Sequence, residues 1–237
     1  MSHYKRKKVI IVLLIVTIGV IMCGKAFLFH ESSKRENDKT QRVHQTSDLK
    51  TTIDLGSGLK LTGLSETAGN FPEDGSDDFV EKMLSATFVN EGEKTIQYAS
   101  VQVSIGKEQF SFTFSTLPAG AGVHVYEKDK KAVTLNSDAI SAEAEYIAYF
   151  EAEPSLYEKE LEIKVSDGMI AVKNISKSNI DKEISVYYKT VTNGFFVGGI
   201  TYRFRIPGGI NAGEEYSGSA LHASEKTTKV MFVTYEN

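Results

Sequence analysis

The sequence predicts an all-β protein in which two tandem antiparallel β-sandwich modules follow a single N-terminal transmembrane helix. Three observations predict it: an uncharged apolar run near the N-terminus, short β-branched and aromatic runs separated by turn residues, and an order of strands and turns that recurs after about 85 to 90 residues. The predicted parts are a basic cytoplasmic tail (1–8), a transmembrane helix (9–29), a flexible stalk (30–50) and two modules (51–153 and 158–237).

The transmembrane helix is predicted from hydrophobic length and flanking charge. Residues 9–24 carry no charge, and if Lys25 extends its amine to the membrane face, the range 9–29 reaches the roughly 20 residues that cross a bilayer. The basic cluster at 5–8 directly precedes this run, and positive residues favour the cytoplasmic side. We therefore expect a single-pass membrane protein with a cytoplasmic N-terminus and an extracytoplasmic C-terminus.

Two other readings of the N-terminus remain open. A basic segment followed by a short apolar run is also typical of a cleaved secretion signal, although the small residues Cys23 and Ala26 make a poor cleavage site. Lipid attachment at Cys23 is the third reading, but Met22 stands where that chemistry prefers a small residue. All three readings place the folded part outside the cytoplasm.

The charge distribution argues against a nucleic-acid partner. Residues 1–50 hold ten of the 27 Lys and Arg residues and four of the 31 Asp and Glu residues, which leaves 17 basic and 27 acidic residues in 51–237. An acidic surface repels phosphate backbones. The folded region is therefore expected to bind no nucleic acid.

The stalk is predicted from its lack of large apolar residues, and the character of the exported region from its lack of cysteine. Residues 30–50 contain almost no large apolar side chain, so they are expected to stay solvated. The chain's single cysteine, Cys23, lies in the apolar run, which excludes disulfides and cysteine-based metal sites from 51–237. Exported domains without disulfides are typical of bacteria rather than eukaryotes, and we expect no cofactor.

The strands are predicted from alternating apolar positions. The clearest is 95–105, and in 109–114 the residues Phe110, Phe112 and Phe114 share one face, which we expect to be core. The other predicted strands are 83–90, a strand from Val123, 143–151, 161–165, 169–175, 184–189, 200–206 and 229–235. Outside the membrane segment, the stretch 78–84 is expected to form at most one or two helical turns.

The two predicted modules repeat one order of features: a strand ending near an asparagine, a turn, two strands, a Pro/Gly turn and a further strand. Asn90 and Asn174 are 84 positions apart, and Gly122 and Gly213 are 91 apart. This order resembles the bacterial Ig-like ectodomains of the FxLYD type, best over 169–237, through the strings VKN at 172–174, SVYY at 185–188 and AGEE at 212–215. The resemblance implies Ig-like β-sandwiches, but it does not indicate which ligand they bind.

No residue pattern in the exported region predicts catalysis. His124 and His222 are the two histidines of residues 51–237 and are expected to be structural, and the acidic loop 72–78 lacks the ligand spacing of a calcium loop. Neighbouring residues of a strand face opposite sides, so of the adjacent Phe195 and Phe196 at least one is expected at the surface, as a possible partner-binding patch.

The sequence therefore predicts a non-enzymatic, membrane-anchored extracytoplasmic protein that uses its modules for binding or spacing. The expected contacts are the membrane, through residues 9–29, and a protein or a cell-wall component. Two alternatives remain open: a secreted or anchored hydrolase with an unrecognised site, and an accessory subunit of a membrane complex.

Overall fold

A computed structural model describes residues 44–135 and 139–235, with side chains from residue 48 onward. The predicted cytoplasmic tail and transmembrane helix lie outside these residues. Within the two described ranges, no helix has both the length and the apolar character needed to cross a membrane.

The described residues fold as β-structure, which confirms the predicted all-β class. Their strands are β1 (His44–Asp54), β2 (Leu59–Asn70), β3 (Phe79–Asn90), β4 (Ile96–Ile105), β5 (Glu108–Leu117), β6 (Gly122–Tyr126), β7 (Ile140–Tyr149), β8 (Leu161–Ser166), β9 (Met169–Asn174), β10 (Ile184–Thr192), β11 (Phe195–Ile206), β12 (Glu215–Ser219) and β13 (Thr228–Tyr235).

Two strands depart from the expectations. The strand β1 begins at His44, inside the range predicted as stalk, because residues 44–54 pair with β2 along its length. The strand β3 covers 79–90, where up to two helical turns had been expected over 78–84, because its backbone pairs with β2 and β6. Ladder hydrogen bonds and the burial of Met83 and Leu84 outweigh the local sequence preference.

The strands form three sheets. One of them runs through both halves of the described chain, where the first half is β1 to β7 and the second half is β8 to β13. Its order is β1-β2-β3-β6-β11-β10-β13, and two three-stranded sheets, β5-β4-β7 and β12-β9-β8, complete the fold. The strand β6 joins β11 in parallel through three residue pairs that begin at Gly122 and Phe195, whereas the other named strand pairs are antiparallel. This short contact makes one sheet from strands of two halves.

Each half repeats the same pairing order and encloses its own core. In the first half β2-β3-β6 lies opposite β5-β4-β7, and in the second β8-β9-β12 lies opposite β11-β10-β13. In the first core Phe88 stacks on Phe114, with ring centroids 5.1 Å apart, and meets the edge of Phe112 at 5.9 Å. The predicted Phe face of β5 is therefore in the core, and a second cluster around Val186, Phe204 and Ile206 fills the other half.

A buried asparagine closes the turn after β3, in the first half. Asn90 is fully buried, and its Nδ2 donates to the carbonyls of Lys94 and Leu117, both at 2.9 Å. Its Oδ1 accepts the Gly92 N–H at 3.1 Å. The side chain thus bonds backbone groups of three separate positions, of which the Leu117 carbonyl is buried.

Asn174 makes the same contacts in the second half. It is fully buried, its Nδ2 donates to the carbonyls of Ser178 at 2.8 Å and Ile210 at 3.0 Å, and its Oδ1 accepts the Ser176 N–H at 3.0 Å. Each donor and acceptor has its counterpart in the first half. The repeat seen in the sequence therefore extends to individual hydrogen bonds.

The same contacts correct the glycine correspondence of the two halves. The Gly120 N–H donates to the Asn90 carbonyl at 2.7 Å, and the Gly213 N–H donates to the Asn174 carbonyl at 2.9 Å. Gly120, and not Gly122, is therefore the partner of Gly213 in the repeat. Gly122 instead begins β6, where a side chain would overlap the ring of Phe195.

Candidate functional site

The junction of the two halves contains a buried lysine. Lys189, on β10, is 1% exposed, and its Nζ donates to the carbonyls of Ser115 at 3.0 Å, Gly199 at 3.1 Å and Ile200 at 2.8 Å. Ser115 belongs to the first half, whereas Gly199 and Ile200 belong to the second. One ammonium group therefore ties backbone of β5 to backbone of β11.

The carboxylate of Glu73 reaches the same place from the loop between β2 and β3. Its Oε1 accepts the Tyr126 N–H at 3.0 Å, and its Oε2 accepts the Gly199 N–H at 2.7 Å. Burial raises the pKa of Glu73 to about 7, although the two N–H groups and the Lys189 charge oppose that rise. Burial lowers the pKa of Lys189 to about 7, against the opposing effect of Glu73.

The backbone at Gly199 leaves no room for a side chain. A Cβ on this residue would collide with the Thr113 carbonyl and would lie 3.0 Å from the Glu73 carboxylate. Glycine here lets β11 approach β5 closely enough for Lys189 to bridge them. We call Glu73, Lys189 and Gly199 the junction clamp.

A second contact joins the acidic loop to the second half. Asp77 Oδ2 lies 3.0 Å from His222 Nδ1, and the His222 ring packs on Tyr202 with centroids 4.8 Å apart. The other polar atoms of this pair, Asp77 Oδ1 and His222 Nε2, are buried and have no hydrogen-bond partner among the described residues. The Nε2 atom of this histidine is therefore out of reach of solvent.

The acidic loop spreads its carboxylates over different partners. Glu73 and Asp77 face the second half, and Asp74 accepts the hydroxyl and N–H of Ser76 and pairs with Lys130 at 2.9 Å. The described residues contain no group of three or more His, Cys, Asp or Glu side chains arranged to hold a metal ion. Through Glu73 and Asp77 the loop joins the two halves.

A groove of about 430 Å³ opens beside the clamp, between the two halves. Its aromatic wall consists of Phe150, Tyr187 and Phe232. Tyr187 and Phe232 stack with centroids 4.3 Å apart and an interplanar angle of 10°, and Phe150 meets Phe232 edge-on at 5.3 Å. These rings are half-buried, so part of the aromatic surface faces the groove.

The rest of the groove is lined by uncharged polar side chains. Ser115 and Thr201 face each other across the junction with their hydroxyl oxygens 2.8 Å apart, and Gln97 stands exposed at the rim. Thr234 Oγ1 is buried and has no hydrogen-bond partner among the described residues. The described residues that line this groove, which we call the junction groove, are all uncharged.

Phe195 and Phe196, the predicted partner patch, lie at the start of β11 on opposite faces. Phe196 is 4% exposed within the first core, and Lys229 Nζ lies 5.7 Å from its ring centroid. Phe195 is half-buried against His124, with ring centroids 4.6 Å apart. Phe195 is thus the one of the two that keeps appreciable surface, and it lies where β6 meets β11.

The other predicted histidine, His124, lies on β6. Its Nδ1 is 2.8 Å from Thr87 Oγ1, and burial lowers its pKa while Asp48 opposes the effect. With Phe195 against one face of the ring, His124 contributes to the β6–β11 contact.

Sequence reasoning did not find the clamp or the groove. Lys189 is the last residue of the predicted strand 184–189, and the β10–β11 pairing skips it at a register irregularity between Tyr188 and Thr190. Nothing in the local sequence marks that irregularity. The aromatic wall combines residues from three separate segments, and no spacing along the chain joins them.

Searches of protein-family models, curated proteins and solved structures found no match to this chain.

Proposed function

We propose that this chain is a non-enzymatic, single-pass membrane protein whose extracytoplasmic region consists of two Ig-like β-sandwich modules that bind a ligand at their junction. The observation that carries the proposal is the junction groove, whose walls come from different halves and are held together by the buried Lys189. Ligand sites occur preferentially at such junctions.

The Ig-like assignment rests on the repeat. Two sets of six strands pair in the same order, each around a buried asparagine with matching hydrogen bonds, and each set has the size of a small β-sandwich. The membrane assignment rests on the sequence of residues 9–29 and the basic cluster at 5–8. The partner is a protein or a cell-wall component outside the cytoplasm.

A preorganised junction favours binding over a purely spacing role. Lys189 and Glu73 are costly to bury in their charged forms, because a buried charge loses hydration. The Lys189 hydrogen bonds fix the separation of β5 and β11, and the Glu73 hydrogen bonds join β6 to β11. A site whose walls are already in place loses less conformational entropy when a ligand binds.

Mild protease treatment of intact cells tests the topology. We expect release of a folded fragment whose N-terminus lies between residue 30 and His44, where β1 begins, with an N-terminal stub left in the membrane. Mass spectrometry of both products reads the cleavage site. Protection of the whole chain would reverse the predicted orientation and remove the extracytoplasmic assignment.

Site-specific photo-crosslinking in living cells tests the binding role. A photoreactive side chain at position 97, exposed at the groove rim, should form an adduct, whereas the same group at position 216, exposed on β12, should not. The mass of the adduct identifies its class. Equal labelling at both positions, or none at 97, would contradict ligand binding at the groove and leave only the spacing role.

A further inference from the structure

We propose that the junction groove binds a neutral glycan, a chain of uncharged sugar units rich in hydroxyl groups. This inference rests on the proposed binding function and names the class of its ligand. It is carried by the charge, the aromatic wall, the polar lining and the position of the groove in the fold.

The first step is the absence of charge from the lining. In a protein with 24% charged residues, the described residues around this groove are Gln, Ser, Thr, Tyr and Phe. An anionic or cationic ligand would leave its hydration without gaining an ion pair there. A ligand without charge avoids that penalty.

The second step is the combination of flat rings with hydroxyl and amide groups. Tyr187 and Phe232 present a wall on which the apolar C–H face of a sugar ring can pack. The hydroxyls of Ser115 and Thr201 belong to half-buried lining residues, and a hydroxyl can donate and accept, as the hydroxyls of a sugar also can. Gln97 adds an exposed amide at the rim. Sugars offer both kinds of surface in one ring.

The third step separates a glycan from an extended peptide. Peptides can bind β-proteins by adding a strand to a free sheet edge. Tyr187 lies on β10, which is paired on both sides by β11 and β13, whereas Phe232 and Ser115 lie on the edge strands β13 and β5. Beside the groove these two edges already have partners, because the Val233 N–H donates to the Ser155 carbonyl at 2.8 Å and the Ser115 carbonyl accepts from Lys189. Recognition by side chains therefore suits this place better than strand addition does.

The fourth step is preorganisation. The carbonyl of Ser115 accepts from Lys189, and the hydroxyls of Ser115 and Thr201 are in contact across the junction. The opposing walls are therefore fixed in width before any ligand arrives. A groove of about 430 Å³ falls in the size range of small-molecule sites, which suits one or two sugar rings of a longer chain.

Calorimetric titration of the full-length chain in nanodiscs of neutral lipid tests the inference. The probes are chitotetraose and cellotetraose as neutral glycans and tetragalacturonate as an anionic glycan of similar length. We expect saturable binding of at least one neutral probe and binding of the anionic probe that is weaker by about tenfold or more. Binding of neither neutral probe, or equal binding of the anionic one, overturns the inference.

Matched variants locate the site. Tyr187→Leu removes a ring of the wall and should weaken binding by about tenfold, whereas Tyr216→Leu, on β12, should leave it unchanged. Gln97→Ala should weaken it by roughly two- to fivefold against Gln102→Ala, on the outer face of β4. Gln97 is exposed, so this second pair keeps the test valid if Tyr187→Leu fails to fold. Equal effects within both pairs would overturn the inference.

The outcome also separates this inference from the proposed function. If position 97 crosslinks to a protein in cells while no neutral glycan binds, the glycan inference fails and the binding function stands. If position 97 gives no adduct and no probe binds, both fail.

Discussion

Lys189 and Glu73 both form hydrogen bonds with the backbone of Gly199, one with its carbonyl and the other with its N–H. The Lys189 ammonium donates to the Gly199 carbonyl at 3.1 Å, and the Glu73 carboxylate accepts the Gly199 N–H at 2.7 Å. The two side chains come from different halves of the described chain. Their hydrogen bonds to Gly199 therefore resist separation of the halves.

Lys189→Met should lower the free energy of unfolding by about 2 to 4 kcal/mol. The substitution removes the Lys189 Nζ donor from the Ser115, Gly199 and Ile200 carbonyls. It also removes the positive charge that favours the ionised form of Glu73. Denaturant titration of the full chain in detergent measures the change. Lys164→Met, at an exposed ion pair, is the control and should change stability by less than about 1 kcal/mol. A loss at Lys189 no larger than this would contradict the clamp.

The stability difference between wild type and Glu73→Gln should fall as pH rises from 5 to 7. The folded protein holds a proton on Glu73 up to a pKa of about 7, whereas the unfolded chain releases it near 4.5, so folding binds a proton in this window. A raised acid pKa contributes stability below the unfolded value and loses it as pH climbs through the folded value. Unfolding titrations at pH 5, 6 and 7 measure the difference, and a flat or rising difference would refute the burial of this carboxyl.

The opposite slope should appear at higher pH for the partner group. The pKa of Lys189 is lowered to about 7 from 10.5, so the folded protein releases a proton that the unfolded chain keeps. The Lys189 contribution therefore grows as pH rises from about 7 to 10. The stability difference between wild type and Lys189→Met should rise across this window when measured by the same titrations. A difference that stays flat would show that the lysine stays charged in the fold, and would contradict the lowered pKa.

Asn90→Ala and Asn174→Ala should destabilise the protein by similar amounts, about 2 to 4 kcal/mol each. Each loses two donated bonds and one accepted backbone N–H bond, and each leaves a buried carbonyl, of Leu117 or of Ile210, without the amide donor. Asn174→Ala also loses the bond from the Ser176 hydroxyl. Thermal unfolding measures both, with Asn179→Ala, an exposed residue that accepts one backbone N–H, as the control. Losses that differ by more than about 2 kcal/mol would argue against equivalent roles in the two halves.

Gly199→Ala should cost more than about 3 kcal/mol or prevent folding, since a methyl group collides with the Thr113 carbonyl. Gly194→Ala is the matched control, because nothing lies within 4 Å of its Cβ position and its φ of 85° alone makes it costly, by about 1 to 2 kcal/mol. Thermal unfolding and yield of folded protein compare the two. A milder effect at Gly199 than at Gly194 would mean that β5 and β11 can move apart.

The fold class could be predicted from the sequence because alternation is a local signal. Phe110, Phe112 and Phe114 share a face in any strand, and that face became the core. The equivalence of Asn90 and Asn174 was also visible, since one side chain determines each turn. The glycine correspondence was shifted by two residues because a turn tolerates small residues at several positions, and only the bond to the asparagine carbonyl selects Gly120.

The junction could not be predicted because its contacts are remote in sequence. The β6–β11 pairing joins residues more than 70 positions apart through three residue pairs, and Glu73 meets Gly199 across 126 positions. Neither contact leaves a periodic pattern. Lys189 is buried against carbonyls of β5 and β11, and the alternation of β10 does not indicate which element covers that face.

The shared sheet has a mechanical consequence. Its edge strands β1 and β13 are the first and last strands of the described chain, so tension between the chain ends passes across one sheet. The β6–β11 contact, with three residue pairs, is the shortest ladder on that path. Under tension, β6 and β11 should separate first, while both hydrophobic cores stay folded. The protein would then lengthen by separation of its two halves before either half unfolds.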